Sequence, residues 1–129
     1  MMPTITSLLA IGAGATLGAW SRWGLSLWLN SGGMRSLPWG TLLANGIGAY
    51  MIGLVLGWVA LAPHWPDWLR LALLTGFLGA LTTFSTFSAE VVGLLQQGRW
   101  LAGLSYVALS VLGSLALTGL GLLTVSWLR

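Results

Sequence analysis

The residues with the clearest chemical potential form a run of hydroxyl side chains within an apolar stretch. Five of the seven residues at positions 82–88 are Ser or Thr. Hydroxyl groups can satisfy backbone groups that a helix break sets free, and Gly76 and Gly79 directly upstream favour such a break. We therefore expect the helix to be interrupted near residues 79–83, at the middle of a membrane span. The alternative is a continuous helix whose hydroxyls bond back to their own turns.

Two aromatic residues and one amide accompany this run. Phe84 and Phe87 lie three residues apart, so they share one face of a helix. Such a pair is commonly packing, but its place among hydroxyls beside the expected break favours a functional role. Asn45 puts an amide into an apolar stretch, where it is costly without partners. It forms either an interhelical hydrogen bond or a donor that faces an anion in a water-filled vestibule.

A second polar track lies nearer the C-terminus. Tyr106, Ser110, Ser114 and Thr118 are each four residues apart, which places them on one face of a helix. One hydroxyl in a membrane helix is ordinary. Four in a line favour a hydrated or hydrogen-bonding track over simple contact between helices.

The ionisable residues offer little for catalysis. The chain has no Cys, one His and two acidic residues, so thiolate chemistry, a metal cluster and a general acid–base pair all lack their groups. The chain is therefore predicted not to be an enzyme. Arg22 and Glu90 lie within two turns of the expected helix ends. They either extend to the membrane surface or sit inside the bundle or at a vestibule mouth.

Four apolar stretches must position these residues. They cover residues 4–29, 39–62, 68–96 and 100–128, and each can cross about 30 Å of hydrocarbon. The chain is 57% hydrophobic and 5% charged, whereas soluble domains carry roughly 25% charged residues. We therefore predict an all-α membrane protein, with residues 1–129 forming a single domain of four transmembrane helices.

The cations are spread evenly over the two membrane surfaces. With four spans, one side carries the amino terminus, Arg70 and Arg129, and the other carries Arg22, Arg35 and Arg99. Orientation normally follows an excess of Lys and Arg in cytoplasmic loops, and this balance gives none. The pattern favours insertion in both orientations, as an antiparallel homodimer, over one orientation set by another factor. The scattered cations also argue against nucleic-acid binding.

Three segments resemble the Fluc/CrcB family of fluoride channels. They are residues 76–88 (GFLGALTTFSTFS), 40–45 (GTLLAN) and 18–23 (GAWSRW). The resemblance runs along essentially the whole chain, including its length and its number of spans. It implies a dual-topology homodimer in the bacterial inner membrane, with two antiparallel pores that export fluoride passively.

The resemblance also implies which residues line the pores. The implied set is Thr41, Asn45, Phe84, Phe87, Tyr106, Ser110 and Ser114. Fluoride is small and strongly hydrated, so a pore must replace its water with amide and hydroxyl hydrogens and the positive edges of aromatic rings. A full positive charge would bind the anion too tightly, because conduction needs weak contact at several sites.

A central Na⁺ is implied in the same way. The backbone carbonyls of Gly79 and Thr82 match the positions that hold it. An in-plane two-fold axis would bring these carbonyls from both chains together at mid-membrane, where neutral oxygens suit a hard monovalent cation. The ion would be a structural cofactor of the dimer and would not be transported.

The sequence is also compatible with two other functions. A small dual-topology drug/proton exporter, as in the small multidrug resistance family, uses a membrane-embedded Glu in its first helix. The first helix here has no carboxylate, and Glu90 lies toward the end of the third. A non-transporting subunit of a membrane assembly would show no ion flux at all.

Overall fold

The computed structural model describes residues 2–30 and 37–129, and the regular secondary structure of these residues is entirely helical. The long helices are α1 (Ile5–Leu29), α2 (Trp39–Leu61) and α6 (Trp100–Trp127). Between α2 and α6 lie α3 (Asp67–Arg70), a π-helix (Leu71–Leu78), α4 (Gly79–Leu81) and α5 (Phe84–Gln96). Residues 31–36, which include Arg35 of the charge balance, lie outside the described residues.

Three helical runs are long and apolar enough to cross a membrane. Among the described residues these are Trp39–Leu61, Asp67–Gln96 taken across its interruption, and Trp100–Trp127. α1 has 25 residues but is less hydrophobic and is not among them. Many apolar side chains on these runs point outward, such as Leu101 with 82% of its surface exposed. Surfaces of this kind fit hydrocarbon and not water, so the chain is a multi-pass membrane protein.

Side-chain caps fix the ends of α1 and the start of α2. The Thr4 hydroxyl accepts a hydrogen bond from the Ser7 N–H at 3.1 Å, which satisfies one of the free donors of the first turn. At the other end, Asn30 accepts a hydrogen bond from the Gly40 N–H at 2.8 Å through its Oδ1 atom. The end of α1 is thereby tied to the first turn of α2, where a Cβ atom at Gly40 would collide with the backbone of Ser26.

α1 packs against residues 67–81, the segment made of α3, the π-helix and α4, which we call the arm. Gly14 and Gly18 lie opposite the carbonyl oxygens of Ala72 and Phe77, and a Cβ atom at either glycine would collide with them. The glycines are four residues apart and the carbonyls five. Residues five apart align along a π-helix, as residues four apart do along an α-helix. The π-helix therefore matches the carbonyls to the glycine face of α1.

α2 and α6 form the other closely packed pair. A Cβ atom at Gly53 would meet the Thr118 carbonyl oxygen, and one at Gly121 would meet the Tyr50 carbonyl oxygen. Small residues let helix backbones approach closely in lipid, where no hydrophobic effect drives them together. α5 packs on α6 and shares with it a buried cluster of Phe87, Leu94 and Tyr106. α5 therefore packs on the α2–α6 pair, whereas the arm packs mainly on α1.

Candidate functional site

The helical backbone is interrupted between the arm and α5. Thr82 has φ −86° and ψ 152°, and Thr83 has φ −151° and ψ 126°, both in the extended region. We call these two residues the break. The Thr83 hydroxyl accepts a hydrogen bond from the Thr86 N–H at 3.2 Å and so caps the first turn of α5. Thr83, one residue of the hydroxyl-rich run, is therefore the N-cap of α5.

Asn45 on α2 holds the break directly. Its Oδ1 atom accepts a hydrogen bond from the Thr83 N–H at 2.8 Å, and its Nδ2 atom donates one to the Thr83 carbonyl at 3.1 Å. The amide thus replaces both helical partners of one residue, which offsets the cost of an interrupted backbone in an apolar surrounding. Because a primary amide has two N–H groups, one donor of Asn45 is left over.

Two carbonyls at the break have lost their helical donors to other groups. In a continuous α-helix, the Thr83 N–H would bond to the Gly79 carbonyl and the Thr86 N–H to the Thr82 carbonyl. Here the first donates to Asn45 and the second to the Thr83 hydroxyl. The Thr82 hydroxyl donates to the Leu78 carbonyl at 2.8 Å. The backbone carbonyl oxygens of Gly79 and Thr82 are therefore free of helical donors and are the groups that these two residues could offer to a cation.

Phe84, Phe87 and Tyr106 form an aromatic row beside the break. The ring centroids of Phe84 and Phe87 are 5.6 Å apart, those of Phe87 and Tyr106 are 5.3 Å apart, and both pairs are tilted by about 50°. Tilted rings present their electropositive edges sideways. Tyr106 is fully buried and Phe87 is buried, whereas Phe84 is 77% exposed in the single chain. The row runs from the core of the chain to its surface.

Glu90 anchors the inner end of this row. Its carboxylate accepts hydrogen bonds from the Thr41 hydroxyl at 2.7 Å and from the Tyr106 hydroxyl at 2.6 Å. Thr41 and Tyr106 are both buried. Three helices, α2, α5 and α6, meet at this carboxylate. In this arrangement the two hydroxyl hydrogens point at Glu90, so it is the hydroxyl oxygens that remain open to other donors.

An open cavity of about 640 Å³ adjoins the break. Seven of its lining residues are ones that the sequence analysis singled out for the pore or for Na⁺: Asn45, Gly79, Thr82, Phe84, Phe87, Ser110 and Ser114. Among the described residues, no charged side chain lines this cavity. Its polar groups are neutral hydroxyl, amide and backbone groups, which can solvate a small anion without a full positive charge.

Ser110 supplies an uncommitted hydroxyl to the same cavity. It lines the cavity wall on α6 and is only 7% exposed. Its Oγ atom is buried and has no hydrogen-bond partner within the described part of the chain. A buried hydroxyl without a partner costs free energy, so this position calls for a ligand or a water molecule.

The remaining predicted residues do not line the cavity. Thr41, Tyr106 and Glu90 form their own hydrogen-bonded group on the other side of the Phe87 ring. Arg22 donates from Nε to the Ala80 carbonyl at 3.0 Å. Arg22 and Glu90 therefore do not pair with each other. Both are half-buried in the single chain, with partners that the sequence did not identify.

One site residue was missed by sequence reasoning. Thr83 is the point at which Asn45 engages the break, through two hydrogen bonds to its backbone. Its position as the second residue of the hydroxyl run, directly before Phe84, is typical of an N-cap. That signal identifies the helix start but not the amide that binds it.

Comparison with known proteins finds relatives over nearly the whole chain. The family model described as CrcB-like protein, Camphor Resistance (CrcB), matches residues 9–122. A fluoride-specific ion channel FluC of Bordetella bronchiseptica is 57% identical over 119 residues, covering 92% of this chain and 91% of that protein. The protein of the same name from Thiobacillus denitrificans is 52% identical over 125 residues, covering 97% and 100%. That from Pseudomonas putida is 56% identical over 121 residues, covering 93% and 94%.

Proposed function

Since this chain belongs to the CrcB family, we propose that it is a fluoride-selective ion channel of the bacterial inner membrane. The observation that carries the proposal is the likeness to proteins named fluoride-specific ion channels, at 52–57% identity over nearly all of both chains. The cavity at the break supports it, because its lining offers hydrogen-bond donors and ring edges without a charge. Ion conduction, and not catalysis, is the activity of this chain.

The cavity suits fluoride through the kind of donor that it presents. The unused amide hydrogen of Asn45, the hydroxyls of Ser110 and Ser114, and the edges of Phe84 and Phe87 are all partial positive charges. Several weak donors can replace the hydration shell of a small anion and still release it. Chloride is larger, so a pore that closes tightly around these rings would reject it sterically.

The group around Glu90 extends this track along α6. The oxygen atoms of Thr41 and Tyr106 keep lone pairs that could accept hydrogen bonds from water, so a fluoride ion on this side would keep part of its hydration. A rotation of the Glu90 side chain would release both hydroxyl hydrogens toward the anion. The polar residues that the family resemblance assigns to the pore thus form two consecutive stages, one beside Glu90 and one beside the break.

We infer that two antiparallel copies complete the pores. The cavity is open on one side, and the exposed ring of Phe84 at its rim needs a covering surface in a membrane protein. α1 would be the fourth span, since its 25 residues reach about 37 Å at 1.5 Å per residue. The balanced cations of the sequence give no preferred orientation. In a homodimer of two oppositely oriented chains, each chain contributes one such cavity, and the two cavities point in opposite directions across the membrane.

The same symmetry supports a structural Na⁺. The Gly79 and Thr82 carbonyls border the open cavity and have given up their helical donors. A two-fold axis through this face would bring four such oxygens together. Neutral backbone oxygens fit a hard monovalent cation, and the Thr82 hydroxyl is already bonded to Leu78. The ion would stabilise the paired breaks and would not be transported.

The drug/proton exporter is not favoured. α1 has no carboxylate to couple proton and drug movement, and the Glu90 carboxylate on α5 accepts two hydrogen bonds within the chain. The names of the relatives point to fluoride.

Ion efflux from liposomes tests the proposal. Purified protein is reconstituted into vesicles loaded with equal concentrations of fluoride and chloride, and each ion is followed with its own electrode after a potassium gradient is discharged with valinomycin. We expect rapid fluoride efflux and chloride efflux no faster than from protein-free vesicles. Comparable efflux of both ions would refute fluoride selectivity, and efflux of neither would refute a channel.

A further inference from the structure

Arg22 is the cationic side chain of α1, and it points toward the end of the arm. Gly14, Gly18 and Arg22 follow one another at four-residue steps, so they share one face of α1. The two glycines lie against the backbone of the π-helix at Ala72 and Phe77. The next step along that face brings Arg22 to the last turn of the arm, where its Nε–H donates to the Ala80 carbonyl at 3.0 Å.

The Ala80 carbonyl needs a hydrogen-bond donor from another helix because its own helix ends one residue later. α4 ends at Leu81, and the extended backbone at the break carries the Phe84 N–H, its helical partner, away. A backbone carbonyl without a partner is unfavourable in an apolar surrounding. A cation near a helix C-terminus also interacts favourably with the helix dipole. Arg22 supplies both the hydrogen bond and the charge from a neighbouring helix.

We propose that Arg22 is a positioning residue of the pore, because it caps the broken helix from α1 and so fixes the direction in which the chain leaves the arm toward Phe84 and Phe87. The proposal rests on the channel function proposed above and assigns Arg22 a part in it. Arg22 is not among the cavity-lining residues, so it acts through the Ala80 backbone and not by contact with the anion.

Asn45 secures the other side of the same junction. Arg22 holds the last turn before the break, and Asn45 holds Thr83 directly before Phe84. Only two residues, Leu81 and Thr82, lie between the anchored positions Ala80 and Thr83. The ends of this segment are fixed to α1 and α2 respectively, so the position and direction in which α5 begins follow from how these two helices pack.

Two neutral substitutions separate the hydrogen bond from the charge. The amide nitrogen of Arg22→Gln lies as many bonds from Cα as the Nε atom of arginine, whereas Arg22→Met places a methyl group there. Both variants remove the charge. We expect fluoride flux to fall by about tenfold or more in Arg22→Met, because the Ala80 carbonyl loses its donor. Arg22→Gln should stay within about threefold of the parent protein.

Arg70→Met is the matched control. Arg70 lies at the opposite end of the arm, and its loss shifts the balance of cations between the two surfaces by one, as the loss of Arg22 does. We expect Arg70→Met to conduct like the parent protein. Equal losses in Arg22→Gln and Arg22→Met, with Arg22→Lys fully active, would show that the charge alone matters and would overturn the proposal.

Fluorine NMR reads the ring positions without using flux. The chain has three Phe residues, so 4-fluorophenylalanine gives three signals, and single Phe substitutions assign them. We expect the Phe84 and Phe87 signals to move in Arg22→Met and to stay in place in Arg22→Gln and Arg70→Met. Unmoved signals in folded Arg22→Met would overturn the positioning role. If the parent protein carries no fluoride, the channel function fails, but this readout still decides the role of Arg22.

A further pair of variants covers the case in which Arg22→Met does not fold. Arg22→Gln keeps the donor without the charge, and Arg22→Lys keeps the charge with its donor displaced by one bond. Flux in Arg22→Gln at least equal to that in Arg22→Lys supports the proposal. Flux in Arg22→Lys far above that in Arg22→Gln overturns it.

Discussion

Phe84 and Phe87 share one helix face but are held differently. Phe87 is buried between the rings of Phe84 and Tyr106, and Phe84 is 77% exposed in the single chain. An isoleucine at either position keeps an apolar side chain but removes the electropositive ring edge. The two rings thus allow a test in which the electrostatic role and the packing role respond differently.

We expect Phe84→Ile and Phe87→Ile each to lower fluoride flux by about tenfold or more, because each removes a weak donor from the path. Phe87→Ile should also lower the stability of the chain, since it leaves space in the buried cluster. Flux is measured with a fluoride electrode and stability by unfolding in detergent. Phe77→Ile is the control, because Phe77 is the third Phe and does not line the cavity. Normal flux in both Phe84→Ile and Phe87→Ile would show that the two rings only pack and do not contact the anion.

Ser110 allows a cleaner separation of function from stability. Its buried Oγ atom has no partner among the described residues, so Ser110→Ala removes an unpaired polar group. We expect unchanged or higher stability together with reduced fluoride flux, because the deletion of an unsatisfied hydroxyl relieves its desolvation cost. Ser126→Ala, which changes an exposed hydroxyl bonded to the Leu123 carbonyl, is the control. A normal flux in Ser110→Ala would mean that the hydroxyl does not meet the anion.

At the scale of the elements, the contact between α1 and the arm depends on the absence of side chains. A Cβ atom at Gly18 would collide with the Phe77 carbonyl oxygen, whereas one at Gly24 on the same helix meets nothing within 4 Å. The backbones of α1 and the π-helix could not stay at their present distance if Gly18 carried a methyl group. This contact also sets how far the Arg22 side chain must reach.

We expect Gly18→Ala to destabilise the protein by about 1–3 kcal/mol, as overpacking typically does. Gly24→Ala should be neutral or stabilise it by up to about 1 kcal/mol, because alanine favours the helix more than glycine does. Both variants are compared by reversible unfolding in detergent micelles. Equal stability of the two variants would show that α1 and the arm are not packed backbone to backbone.

At the scale of the whole molecule, the structure of a single chain does not show in which direction the protein is inserted in the membrane. The chain contains no Cys, so a single cysteine can report the side of the membrane on which a loop lies. Gln97 and His64 are exposed and belong to successive turns between spans. With a single orientation, these two turns face opposite compartments in every molecule.

We expect Gln97→Cys and His64→Cys each to be labelled by an impermeant maleimide from both sides of the membrane in intact cells and inverted vesicles. The roughly equal cation count on the two surfaces provides the reason. Labelling of one variant only from outside and of the other only from inside would refute dual topology. A variant with one added arginine in the turn at residues 62–66 should bias the labelling and serves as the control.

Removal of Na⁺ tests the paired breaks. Protein is purified and assayed with N-methyl-D-glucamine in place of Na⁺. We expect the dimer, measured by light scattering, to dissociate and the fluoride flux to fall, because four carbonyls would face one another without a cation. Thr82→Ser should keep its activity in Na⁺, since a serine hydroxyl can donate to the Leu78 carbonyl as threonine does. Full dimer and full flux without Na⁺ would exclude a structural role for the ion.

Much of the helical framework could be predicted from the sequence, because it follows from local composition. The apolar stretches are separated by turn-forming residues such as Pro38, Pro63 and Gly98, and these are the positions where the helices begin or end. The π-helix could not be predicted in this way. Its register depends on the spacing of the α1 glycines against which it packs, and nothing in its own sequence specifies that spacing.

The sequence by itself determined that the chain is helical and resides in the membrane, and it identified Asn45, Phe84, Phe87 and Ser110 as candidates through their residue types and family motifs. Only the tertiary structure decided what Asn45 and Arg22 bind. Their partners are backbone groups of Thr83 and Ala80, 38 and 58 residues away along the chain. Every residue except proline carries the same backbone groups, so a sequence cannot mark which of them a break will expose to a neighbouring helix.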